Sequence, residues 1–436
     1  MLANKKIFCN TPWYELQIYW DGSFGICCQE SHKLYPLAES HYNIKNMTII
    51  DWFNSQPVRD FRTKMLGDSK LSECKRCYLE EEHRGISRRL RSNQKSVIFT
   101  KSAFDPSFNQ SPGFDHFEYS NDNNGQTLTH PIDLHIDFGN FCNLACKMCS
   151  SQASSTIASQ HVKWGIVEDK KYLGQDWTRD PVVWDSFKQQ LLSIPGLNNI
   201  HFMGGETLLT NRFEDIVDTM IANNRFDVCF SFVTNGTIFK PGLVEKLKQF
   251  RRVGFEISME TMDDRNTYIR QGTHAQTVLK NIELYSNECN NTSVTLSLRP
   301  TPSLLSVGSY VDLLFFALAK KLIVKSNLCY NPKFLSIDML PKDVKLQYAD
   351  RYRKFINSIS VNSIDDYNAS DPNNYASVLR DQANMCLALL DTESPLDIDL
   401  QHRLLVDHCR KWDQVYKLNA RDLYPELSEI WDRYDY

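Results

Sequence analysis

The stretch Asn140-Phe141-Cys142-Asn143-Leu144-Ala145-Cys146-Lys147-Met148-Cys149 decides the reading of this chain. Its three cysteines, spaced C-x3-C-x2-C, follow a segment in which Ile132, Leu134 and Ile136 alternate with Asp133, His135 and Asp137, the period of a strand. A cubane iron–sulfur cluster binds through thiolates, and three thiolates leave one of its irons without a protein ligand. An open coordination position marks chemistry rather than structure, as closed structural and open catalytic zinc sites show. A zinc knuckle would want a fourth Cys or His at finger spacing, and none stands here.

Outward from this run, strands are expected at Ile200–Met203, Val228–Val233, Phe255–Met259, Val294–Leu298 and near Leu328–Leu335. Helical patterns lie between them, at Phe213–Ile221, Val244–Phe250 and Val278–Tyr285. Such alternation predicts a parallel sheet with right-handed crossovers. Roughly six units fit, fewer than the eight of a closed barrel. The expected fold is therefore α/β, an open partial (β/α)6 TIM-like barrel. Glu256, Ser258 and Glu260 share one face of their strand, and Thr295, Ser297 and Arg299 share one of theirs. A packed barrel interior would be apolar. Polar faces predict a wide lumen, the alternative being edge strands with one solvated side.

Composition narrows the class. The chain has 436 residues and a net charge of −4, so no basic field announces nucleic acid or an anionic membrane. No apolar stretch reads as a membrane span, and the first residues lack the apolar core of a secretory signal. A cytoplasmic, reducing location is expected. There, thirteen cysteines read as metal ligands and buried thiols rather than disulfides.

The boundaries expected are 1–94 for a cysteine-rich domain, 95–130 for a linker or lid, 131–340 for the barrel and 341–436 for a helical C-terminal region. The second segment is rich in Asn, Asp, Ser, Pro and Gly. Beyond Pro341, Val344, Tyr348, Tyr352, Phe355 and Ile359 recur at helical spacing, a core stripe. Cys229, Cys289, Cys329, Cys386 and Cys409 sit in apolar surroundings and read as core thiols.

The run Leu134 to Cys149 resembles the cluster motif of the radical S-adenosylmethionine (SAM) enzymes. Further segments agree in order: Gly204-Gly205-Glu206 after the second strand, Thr234-Asn235-Gly236 ending the third, Ser258 on the fourth, then Tyr268-Ile269-Arg270-Gln271-Gly272. The resemblance implies that Cys142, Cys146 and Cys149 hold a [4Fe-4S] cluster whose open iron binds SAM. It implies reductive cleavage to a 5′-deoxyadenosyl radical that abstracts hydrogen from substrate. Gly204 and Gly205 would let the backbone approach the ligand's amino group. Glu206 would compensate positive charge, or cap the following helix. Arg270 would meet the methionine carboxylate with its fork. Ser258, Thr234 and Asn235 are further candidates, and Met148 stands where the family often has an aromatic residue near adenine.

The N-terminal cysteines form a second set. Phe8-Cys9-Asn10-Thr11-Pro12-Trp13, Asp21-Gly22 through Cys27-Cys28, Trp52 through Arg62 and Cys74-Lys75-Arg76-Cys77 resemble the Twitch module, the short form of the SPASM module. The module usually follows the barrel; here it precedes it. Cys9, Cys27, Cys74 and Cys77 would close an auxiliary iron–sulfur cluster, or hold a zinc ion. Adjacent Cys27 and Cys28 point to opposite faces of a strand, so one of them ligates, and the glycine spacing favours Cys27. The resemblance implies an electron donor such as flavodoxin or ferredoxin, and a peptide substrate that is oxidised or cross-linked. A nucleotide or sugar-like substrate, or a non-catalytic scaffold, are the alternatives. No residue stands out as the catalytic acid, base or hydrogen donor.

Overall fold

The computed structural model describes residues 7–30, 41–67, 69–84, 87–94, 115–174, 176–359 and 375–436. Ten strands occur among them: β1 (Glu15–Ile18), β2 (Phe24–Gly25), β3 (Asp133–Asp137), β4 (Ala145–Cys146), β5 (Asn199–Met203), β6 (Cys229–Thr234), β7 (Val253–Ile257), β8 (Arg270–Gln271), β9 (Val294–Leu298) and β10 (Ile323–Val324). Within the first of two compact units the strand order is β6-β5-β3-β1-β2, within the second it is β10-β9-β7, and there β4 pairs with β8. Helices between successive strands give the α/β alternation expected. The last strand differs from expectation: it is Ile323–Val324, while Lys333–Leu335 is a 3-10 turn. Pro332 precedes that turn and has no N–H to give a ladder.

The chain divides into two compact units. The first comprises Met1–Cys142, Ser151–Phe232 and Glu245–Val253; the second comprises Asn143–Ser150, Val233–Val244 and Gly254–Tyr436.

In the first unit β1 lies parallel beside β3, with Glu15 opposite Asp133 and Ile18 opposite Ile136. The N-terminal region thus extends the sheet next to the strand that leads into the cysteine run. Strand alternation sorts the residues. Leu16, Leu134, Ile200 and Phe230 are register partners and all buried among apolar groups. The next row, Gln17, His135, His201 and Ser231, is polar on the other face. There His201 Nδ1 and Ser231 Oγ lie 2.6 Å apart, and the His135 and His201 rings are 5.1 Å centre to centre.

Arg62 pins the N-terminal region. It has no exposed surface, and its guanidinium donates to the carbonyls of Pro12 (2.9 Å), Phe53 (2.7 Å) and Gly125 (3.2 Å) and to Asn54 Oδ1 (3.0 Å). Of the expected linker, residues 95–114 lie outside the described residues. The helix His116–Asp122 is capped by Asp115, and Phe117 sits edge-on to Phe8 and Trp13.

In the second unit β9 and β10 run parallel, and the C-terminal helices Lys342–Ser358, Tyr375–Leu390 and Ile398–Tyr416 bury the expected stripe. Val344, Tyr348, Tyr352, Phe355 and Ile359 are all buried, and Tyr352 donates to the carbonyl of Val307 (2.8 Å). Polar groups on the second unit's strands satisfy one another. Glu256, buried, accepts from Arg299 (2.7 Å) and Lys325 (2.8 Å). No helix among the described residues is long and apolar enough to cross a membrane.

Candidate metal centre

The loop from Gly139 to Cys149 is held from both ends of its sequence. In the first unit Asn140, buried, donates to the carbonyls of Ser151 (3.1 Å) and Tyr172 (2.7 Å). The helix Ser155–Lys163, capped by Ser154, grips Cys142: the amide of Cys142 donates to Ser155 Oγ (3.3 Å), and Thr156 Oγ1 donates to the Cys142 carbonyl (2.6 Å). A run of serines before an apolar stretch signals a helix start, and sequence reasoning had not connected it to the cysteine.

Gly204 and Gly205 serve this same loop. Both have left-handed φ, +82° and +53°. A Cβ on Gly205 would lie 2.2 Å from the Phe141 carbonyl oxygen, and one on Gly204 would lie 2.6 Å from Asp137 Cβ. The amide of Glu206 then donates to Phe141 O (2.8 Å). The close approach that demands glycine is to the loop backbone itself. Glu206 is buried, and its carboxylate accepts from the Leu208 amide (3.0 Å) in the turn that follows; it does not cap the next helix, Arg212–Ala222, whose N-cap is Asn211.

In the second unit β4 pairs with β8, setting Cys146 opposite Arg270, and the amide of Cys149 donates to the Cys146 carbonyl (2.9 Å). The Thr234-Asn235-Gly236 turn clamps the loop: Asn235 Nδ2 donates to Asn143 Oδ1 (2.8 Å), and Asn143 Nδ2 to Thr237 Oγ1 (3.1 Å). Thr234 Oγ1 accepts from the Gly236 amide, and its carbonyl accepts from the amide of buried Ser258 (2.8 Å). Met148 is half-buried.

Arg270 departs from the expectation of a fork open toward a carboxylate ligand. Its Nε (2.9 Å) and Nη2 (2.6 Å) both donate to Glu260 Oε1, while Nη1 is 3.8 Å from Cys146 Sγ. Glu260 has no exposed surface and also accepts from the Thr301 amide (2.5 Å). Among the described residues, Arg270 is the charged donor observed on this buried carboxylate. Lys147 was not singled out by sequence, and it is buried with Nζ 3.9 Å from the Tyr268 ring centre and 4.7 Å from that of Trp412. Burial pulls its pKa down to about 8.

The donor chemistry suits a metal cluster. None of the thirteen cysteines is in a disulfide. Burial, with Cys146 adding to it, pushes the Cys149 thiol up to about 12, so ionised thiolates here require a cation to compensate them. Arg270 supplies part of that compensation beside Cys146.

The N-terminal set lies in the first unit, with Cys9 and Cys77 buried and Cys27 and Cys74 half-buried. Burial raises Cys9, Cys27, Cys74 and Cys77, the last to about 12, and Cys9 adds its negative charge to each of the other three. The Cys28 amide donates to Glu15 Oε1 (3.3 Å). Glu15 also bears on Cys27, whose thiol is raised by burial and then by this charge, and neither cysteine lies on a strand, since β2 ends at Gly25.

Residues 136–302 match the radical SAM superfamily, and residues 9–78 match an iron–sulfur cluster-binding domain of the SPASM type. The radical SAM match thus lies over the strand–helix region that carries the three-cysteine loop, and the SPASM-type match lies ahead of it in the sequence rather than behind it. A radical SAM domain binds a [4Fe-4S] cluster and SAM, and the SPASM-type domain binds further iron–sulfur centres. No curated protein matches the chain. Among solved structures it is similar to Streptococcus suis SuiB bound to precursor peptide SuiA, at 13% identity over 69% of this chain and 63% of that one, with a TM-score of 0.37. It is also similar to anSMEcpe with bound AdoMet, at 18% identity over 52% of this chain and 60% of that one, with a TM-score of 0.38. The chain thus spans less than two thirds of either relative's length, and at these TM-scores the likenesses carry no functional argument.

Proposed function

We propose that the chain is a radical SAM enzyme acting on a peptide, organised as a cysteine-rich domain (1–94), a connecting segment (95–130), a barrel (131–340) and a helical region (341–436). The observation that carries the reading is that the superfamily match, residues 136–302, contains the three-cysteine loop and the segments that hold Phe141, Cys142, Asn143 and Cys146. Cys142, Cys146 and Cys149 hold the catalytic [4Fe-4S] cluster, which with SAM supplies a 5′-deoxyadenosyl radical for hydrogen abstraction. The chain's own residues fix the loop. Ser155 and Thr156 hold Cys142, Gly204 and Gly205 admit the Phe141 backbone, Asn235 holds Asn143, and Arg270 donates toward Cys146. SAM is bound by Gly204, Gly205, Glu206, Thr234, Asn235 and Ser258, with Met148 toward adenine.

Cys9, Cys27, Cys74 and Cys77 hold the auxiliary cluster, placed to handle electrons when substrate is oxidised or cross-linked. A flavodoxin or ferredoxin supplies the reducing electron in a cytoplasmic setting. The peptide class is favoured by the pairing of the two domains. The test is iron content after anaerobic reconstitution. Two cubanes give about seven to eight irons per chain. Cys142→Ala should lose about four of these, and Cys74→Ala a different four; a wild-type value near four would remove the auxiliary cluster.

A further inference from the structure

Outside both cysteine sets, three metal-ligating side chains converge in the first unit. Glu15, Cys28 and His135 each offer one ligand atom, and the three atoms lie within 4.8 Å of one another. Glu15 and His135 are buried. Strand pairing explains the meeting. Gln17 pairs with His135, so Glu15 lies two residues along β1 on the same face, while β2 runs antiparallel to β1 and carries the chain back to Cys28, whose amide donates to Glu15.

The position among them already attracts a cation. The Arg88 guanidinium donates to Glu15 Oε2, and its Nη2 is 3.0 Å from His135 Nε2. An arginine N–H has no lone pair to offer, so Nε2 must be the unprotonated nitrogen and present its lone pair to the cation. His135 Nδ1 is buried and has no hydrogen-bond partner among the described residues, as has Arg88 Nε. Arg88 is held at the site by these contacts while 31% of its side chain remains exposed, which gives it a route to solvent.

We propose that Glu15, Cys28 and His135 form a site for a single divalent ion of the zinc class, separate from both iron–sulfur centres, with Arg88 as the cation that takes its place when the metal is absent. A carboxylate, a thiolate and an imidazole are the donor set that borderline ions prefer. Three protein ligands leave a fourth position open, the pattern of catalytic zinc. Binding exchanges the guanidinium for the ion and releases the Cys28 thiol proton to solvent; no electron moves. The inference rests on the assignment of Cys27, not Cys28, to the auxiliary cluster.

The experiment uses the iron-reconstituted full chain and Zn²⁺ alone as probe. Zinc and iron are counted together after dialysis against a weak chelator, and zinc affinity is measured by competition with a chromophoric chelator. The wild type should hold one zinc per chain beyond its iron. Cys28→Ser and His135→Ala should lose the zinc and keep the iron. Arg88→Met, which removes the competing cation and no ligand, should bind zinc about tenfold more tightly and show a larger zinc-induced rise in Tm than wild type. Absence of bound zinc in both wild type and Arg88→Met would overturn the site, as would its retention in Cys28→Ser. Loss of about four irons from Cys28→Ser would overturn it differently, by making Cys28 a cluster ligand. Iron content reports on the two-cluster reading independently of the zinc result.

Discussion

Arg270→Met is the perturbation whose consequence the structure defines most sharply. Arg270 and Glu260 are buried, and the pair is 2.6 Å apart. At that distance an effective dielectric of about 20 gives a gross attraction of about 6 kcal/mol. Desolvation of two ions offsets much of this, so the pair adds little over an apolar pair of the same shape. Removing one partner is different. Methionine would leave the Glu260 charge buried with the Thr301 amide as its one remaining donor of those observed. Breaking a buried pair in this way costs about 3–5 kcal/mol. Glu260→Gln in the Arg270→Met background removes the stranded charge while keeping an acceptor for Thr301. The double variant should therefore be more stable than Arg270→Met alone by about 2 kcal/mol, a coupling within the range for contacting residues. Urea unfolding of the metal-free proteins, followed by tryptophan fluorescence, gives both numbers. A cost below about 1 kcal/mol for Arg270→Met, or no gain on adding Glu260→Gln, would refute the assignment of Arg270 to this carboxylate.

Three further outcomes are expected. Arg62→Met should destabilise the first unit by about 3–5 kcal/mol, because four oxygen acceptors, three of them in buried bonds, lose a charged donor; urea unfolding measures it. Gly205→Ala should abolish SAM cleavage or folding, since its Cβ meets backbone at 2.2 Å, whereas Gly165→Ala, also at positive φ but with nothing within 4 Å, should cost only about 1–2 kcal/mol of backbone strain. Burial raises the Asp137 carboxyl to about 7, against 3.8 ordinarily, with His135 and Gln17 opposing the rise. The folded chain then binds a proton that the unfolded chain releases, so stability falls as pH rises from about 4 to about 7. Asp137→Asn should flatten that slope in a series of unfolding midpoints across this window.

Much of the barrel was legible because its signals are local. The alternation at Ile132–Asp137 and Val294–Leu298 reports burial on one face of a strand, and β3 and β9 lie there. The last strand was misplaced because Ile323–Val324 is only two residues long and leaves little pattern, while Leu328, Tyr330, Phe334 and Leu335 supply apolar positions around the turn signal Asn331-Pro332. The roles of Gly204 and Gly205 were half legible. Sequence says that a side chain is excluded, but only coordinates say that the Phe141 backbone does the excluding. The Arg270–Glu260 pair spans ten residues across the helix Asp264–Ile269, and nothing in the pattern distinguishes a fork aimed at a ligand from one aimed at a neighbour. Lys147 lay unremarked between two cysteines because the aromatic rings that hold it, Tyr268 and Trp412, are distant in sequence. The meeting of Glu15, Cys28 and His135 depends on β1 joining the barrel sheet, which no local pattern records.

The central claim is that the Cys142–Cys149 loop supports reductive cleavage of SAM, and the direct measurement is 5′-deoxyadenosine formed on anaerobic incubation of the reconstituted chain with SAM and dithionite. The account predicts product from the wild type and none above background from Cys142→Ala, Cys146→Ala or Cys149→Ala, with auxiliary iron retained in each. Equal product from wild type and Cys142→Ala would contradict it.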